Sequence, residues 1–171
     1  MTLSLPRYFH IFVTLSLTSS SLFALAGCAN TTSSTDTSTI KQAAATITPA
    51  VQAVVGDYAS EGYAKRVQGY DWVGVMVRPS GSQEIDITVS SRSDIKKPTC
   101  TFNGKATLMG QDDAHGVIFQ SKINDSTAFF QFKDDKLTID SQDKYALNYF
   151  CSGGGSLVGN YEKLEGDLEL N

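Results

Sequence analysis

Three cysteines, two histidines and a run of three glycines carry most of the chemical options of this 171-residue chain. Cys100 and Cys151 lie in a stretch of alternating polar and apolar residues, well apart from Cys28 near the N-terminus. In an oxidising compartment that pair is most economically one disulfide. A redox-active pair usually takes a close Cys-x-x-Cys spacing, which is absent. The bond would close a loop of about 50 residues and contribute about 4 kcal/mol by restricting the unfolded chain.

His115 stands beside Asp112 and Asp113 in a polar turn. One imidazole with two adjacent carboxylates is a thin metal site. A Ser-His-Asp arrangement would have to recruit that same histidine. Ser152 and Ser156 lack a Gly-x-Ser-x-Gly elbow, because Phe150 and Val158 stand where glycine is required. No spacing brings two acids together as a glycosidase needs. The expectation is a protein without catalysis, metal or cofactor.

Two segments remain that could bind a partner. The first runs from Tyr149 to Tyr161 and holds Gly153, Gly154 and Gly155 directly after Cys151. Consecutive glycines are entropically costly and need a reason. One reason is a contact loop pinned at its base, with Ser152, Ser156 and Tyr161 as hydroxyl donors to carboxylates or sugars. The other is a long hairpin turn that needs positive φ. The second segment, Arg92 to Pro98, concentrates Arg92, Lys96 and Lys97. It suits lipid phosphates or an acidic partner, or else is a solvated connection.

The elements that would position these groups read as strands. Glu84 to Ser90 alternates strictly, with Ile85, Ile87 and Val89 on one face. Trp72–Val77, Thr99–Leu108, Gly116–Ile123, Thr127–Lys133, Lys136–Asp140, Lys144–Cys151 and Asn160–Leu164 continue the pattern. Gly104 marks a possible bulge. Lys144–Cys151 as a strand puts Tyr145, Leu147, Tyr149 and Cys151 on one face. Ala59–Gly69 is open between a first strand with a turn and a single helical turn. The connections are Asp-, Asn-, Ser- and Gly-rich. The fold class expected is all-β, a single small antiparallel barrel or sandwich of about eight strands with one disulfide. Closure into a barrel removes exposed edges.

The N-terminal region supplies an address. Arg7 and His10 precede an apolar stretch from Ile11 to Ala26, and small residues precede Cys28. That order reads as a secretory signal over residues 1–27. Ser16, Thr18, Ser19, Ser20 and Ser21 interrupt the run, which a membrane span disfavours. Leu25-Ala26-Gly27-Cys28 resembles the lipobox of bacterial lipoproteins. The resemblance implies cleavage before Cys28 and acylation of that cysteine. Ala29 at the next position, in place of Asp, implies outer-membrane retention on the periplasmic face. Residues 28–53 then read as a flexible Ser/Thr/Ala-rich tether, with Pro49 against a continuous helix, and residues 54–171 as the barrel domain.

Net charge is −4, and loss of residues 1–27 removes one base, Arg7, and no acid. Nucleic acid is therefore a poor partner. A small barrel on a lipobox with one disulfide is similar to the membrane-bound inhibitors of c-type lysozyme. That resemblance implies a Ser/Gly/Tyr loop entering the lysozyme cleft, with Ser152-Gly153 and Tyr161 as its counterparts. The function expected is a lipid-anchored periplasmic binding module, with lysozyme as a candidate partner. An accessory lipoprotein touching an envelope assembly or lipopolysaccharide is one alternative. A barrel enclosing a small ligand is another.

Overall fold

The computed structural model describes residues 46–92 and 99–170. Eight antiparallel strands close into a barrel in simple sequence order. They are β1 (Gly56–Ala59), β2 (Val73–Pro79), β3 (Glu84–Ser91), β4 (Phe102–Asp112), β5 (Gly116–Ile123), β6 (Ser126–Lys133), β7 (Lys136–Ser141) and β8 (Gly159–Lys163). The barrel closes where Tyr58 pairs with Lys163 and Ala59 with Glu162. The all-β barrel and its single disulfide are as the sequence indicates.

Alternation decides what fills the barrel. Ile85, Ile87 and Val89 of β3 point inward with Val75 and Val77 of β2, and all are buried. From the far wall come Phe119, Phe130, Phe132, Leu137 and Ile139. The Phe119 ring meets Phe132 edge-on with centroids 5.9 Å apart, and Tyr58 meets Phe132 at 5.5 Å. Side chains, not a lumen, occupy the middle of the barrel.

Several local expectations are corrected. Residues 49–53, read as tether, begin α1 (Pro49–Val54), whose Ala50, Val51 and Val54 are buried in the main core. Pro49 opens the helix, where its missing N–H costs nothing, and Thr48 Oγ1 accepts from the Val51 N–H. Of the two readings left open for Ala59–Gly69 the helical one holds: Glu61–Gln68 is a 3₁₀ segment ending at Gly69 with φ +90°, and the first strand is Gly56–Ala59. Gly104 pairs regularly with Ile87, and the bulge lies between Leu108 and Gly110. Glycine is needed at 104 because a Cβ would sit 2.6 Å from the Phe102 ring.

Lys144–Cys151 is not a strand. Ala146–Phe150 forms a second 3₁₀ segment. Asp143 turns the chain, its carboxylate accepting from the Tyr145 N–H at 3.0 Å and its carbonyl from the Ala146 N–H at 3.1 Å. Adjacent Ala146 and Leu147 are buried together, which a two-residue period does not allow.

A smaller apolar cluster lies on the outer wall of β1 and β2. Ala59, Tyr63, Trp72 and Leu168 form it, and the C-terminal segment straps across it. Gly74 lets the strap approach, since a Cβ there would lie 2.3 Å from Leu168 Cδ2. Buried Asp57 fastens the strap by accepting from the Leu168 N–H at 2.7 Å and from Arg78 at 2.5 Å.

Candidate functional site

The two ends of the barrel differ. At the near end, residues 46–48 lead into α1, and the Thr48 N–H donates to the Ser82 carbonyl. The turns there are tight, as at Asp134 and Asp135, both with positive φ. At the far end the described connecting residues include 60–72, 99–101 and 142–158. The last is the longest. It carries the 3₁₀ segment Ala146–Phe150 between Ser141 and Gly159.

This long connection is ordered because it is fastened repeatedly. The Gln142 N–H donates to the Thr127 carbonyl at 2.8 Å, and the Asp143 N–H to Ser126 Oγ at 3.1 Å. Leu147 and Leu157 are buried in the barrel end. Phe150 packs edge-on against Phe102 with centroids 5.0 Å apart. The Cys100–Cys151 disulfide ties the loop to the connection between β3 and β4. Hydrogen bonds flank it: Thr101 N–H to the Phe150 carbonyl at 2.9 Å and Ser152 N–H to the Thr99 carbonyl at 2.8 Å.

The structure thus joins the glycine-bearing loop to Thr99–Thr101, the residues that lead into β4. Ser152 is exposed at the seam. Its Oγ accepts from the Thr99 N–H at 3.0 Å and shares a hydrogen bond with Thr99 Oγ1 at 2.9 Å. Ser156 is half-buried, and its Oγ accepts from the Val158 N–H at 3.2 Å. Gly153 and Gly154 have φ of 62° and 80°, and the Gly155 N–H closes a turn onto the Ser152 carbonyl at 3.1 Å. The glycine run is therefore a tight turn needing positive φ, set at the crown of the clamped loop. Arg92 lies at the same end and donates to the Gly69 carbonyl. Cys28, Lys96 and Lys97 lie outside the described residues.

Tyr161 is the correction among these residues. It points into the barrel, 3% exposed, and its hydroxyl donates to the Leu157 carbonyl at 2.7 Å. It braces the loop from within and offers no surface donor. Burial pushes its phenol up to about 12 from 10.0. The folded state thus favours the neutral form. Stability is fully present below pH 10 and falls between there and about 12, where the unfolded phenol ionises first. Chemical denaturation across that window should show the fall, with a shallower slope for Tyr161→Phe. An unchanged slope in that variant would contradict the buried placement.

What the loop exposes is a different set. Tyr149 is 83% exposed, Tyr145 60% and Val158 42%. Tyr145, just ahead of the 3₁₀ segment, and Tyr149 within it line separate grooves. One of about 250 Å³ is lined by Ile123, Asn124, Asp125, Asp143 and Tyr149. The other, about 440 Å³, takes Tyr145, Asn148, Ser156 and Val158. A strand here would put both tyrosines on the same face as Leu147, which is buried. The signal available in the sequence was the adjacent apolar Ala146-Leu147 pair shortly after the turn-forming Ser141-Gln142-Asp143.

His115 is far from these groups, in the near-end turn between β4 and β5. Its Nδ1 lies 3.0 Å from both Asp112 carboxylate oxygens. Hydrogen bonds from the His115 side chain and backbone hold the Asp112 carboxyl below the usual range. Among the described residues, no group of three or more His, Cys, Asp or Glu side chains is placed to hold a metal ion.

No family model matches the chain, and neither a curated protein nor a solved structure does.

Proposed function

We propose that the chain is a lipid-anchored envelope protein that binds a protein partner, without catalysis, through the far end of its barrel. One observation carries this reading: the disulfide clamps two connections into a rigid base from which Tyr149 projects almost fully exposed. Tyrosine, serine, glycine and asparagine also make up the contact loops of antibodies, where tyrosine supplies rigid area at low entropic cost.

The sequence resemblance nominates a c-type lysozyme as the partner to test first. The full chain in detergent micelles should slow lysis of purified cell walls by lysozyme. Tyr149→Ala should weaken the complex by about 2 kcal/mol, roughly thirtyfold, as an exposed aromatic anchor does. Unchanged lysis at micromolar chain removes lysozyme as the partner. The ligand-carrier alternative has less support, since aromatic rings fill the middle of the barrel. The cavity of about 290 Å³ beside Val54 and Asp134 lies at the near-end mouth.

A further inference from the structure

The larger far-end groove has a chemistry of its own. Its volume of about 440 Å³ falls in the range of small-ligand sites. Tyr145 supplies an aromatic wall, and Lys144 holds that ring through a cation–π contact at 5.6 Å from its centroid. Val158 adds apolar surface. Among the described residues, the side-chain amides of Gln142 and Asn148 make no hydrogen bond within the protein, though both line the groove. Asp140, whose Oδ1 accepts from the Ser141 N–H at 2.8 Å, lines the groove as well.

These groups discriminate between ligand classes. Asp140 and Lys144 cancel, so the groove does not select an anion. A purely apolar ligand would strip water from two amides and a carboxylate without replacing their hydrogen bonds. A pyranose ring presents an apolar C–H face for Tyr145 and a rim of hydroxyls for Asp140. An acetamido substituent is at once donor and acceptor, as the Gln142 and Asn148 amides are. We propose that this groove binds a neutral glycan chain carrying N-acetylated sugars. The groove stands apart from Tyr149, so the proposal holds whether or not that residue contacts a protein.

Amide chemical shifts of the ¹⁵N-labelled full chain in micelles test this directly. Titration with tri-N-acetylglucosamine to about 10 mM should move the resonances of Gln142, Tyr145, Asn148 and Ser156 in a saturable way. Tyr145→Ala should weaken binding about tenfold, and Tyr145→Phe should restore it, because the face of the ring makes the contact. Tyr149→Ala should leave it unchanged, which separates this groove from the protein-binding surface. Cellotriose, which lacks acetamido groups, should bind more weakly. Absence of saturable shifts would overturn the proposal. Equal affinity for cellotriose would overturn the acetamido reading, and full affinity in Tyr145→Ala the placement.

Discussion

Replacing both Cys100 and Cys151 by serine should lower stability by about 4 kcal/mol and the melting temperature by about 10–20 °C. The bond spans 51 residues, so its loss returns a large loop to the unfolded ensemble. Changing both residues avoids a free thiol. The barrel should survive at low temperature, since Ala146, Leu147 and Leu157 still bury their side chains. The loss should be local in the native state, with hydrogen exchange accelerating first at Thr101 and Ser152, whose amides flank the bond. Denaturant unfolding with exchange mass spectrometry measures both effects. A change under about 1 kcal/mol would mean that the clamp adds little to the hydrogen bonds around it. The binding surface would then need another source of rigidity.

Phe119→Ala should cost about 3–5 kcal/mol. The ring is fully buried, and it packs edge-on against Phe132, which in turn meets Tyr58. Three strands therefore share one aromatic contact across the barrel, and no neighbour can collapse into the gap without breaking the others. The variant should keep a far-ultraviolet spectrum of the sheet while unfolding at lower denaturant. It should also gain an apolar cavity able to take up a small probe such as benzene, as dry engineered cavities do. A nearly neutral substitution would show that the interior was loosely filled, and would restore the ligand-carrier alternative.

The barrel was legible because its strands are half-buried on alternate residues. Glu84 to Ser90 could face only one way, and the Phe129–Phe130–Phe132 pattern of β6 fixed its inner face. The disulfide was legible from the count of cysteines and from the inward parity of Cys100 and Cys151. The far-end loop was not. Tyr145, Leu147, Tyr149 and Cys151 satisfy a two-residue period by position, yet the Asp143 carboxylate turns the chain at Tyr145 and a 3₁₀ segment follows. The turn leaves Tyr145 and Tyr149 exposed, while Tyr161, a donor by its place beside the glycine run, is buried. Register supplies the reason, because Tyr161 pairs with Leu137 across β7 and β8 and so faces the core. The strap over β1 and β2 was also invisible in the sequence, since Asp57 and Leu168 lie 111 residues apart.

A photo-crosslinking amino acid placed at Tyr149 in intact cells tests the central proposal most directly. The account predicts discrete protein adducts from position 149 that disappear when Cys100 and Cys151 are both serine. It predicts none from Asp113 in the near-end turn. Adducts from 113 with none from 149 would contradict it.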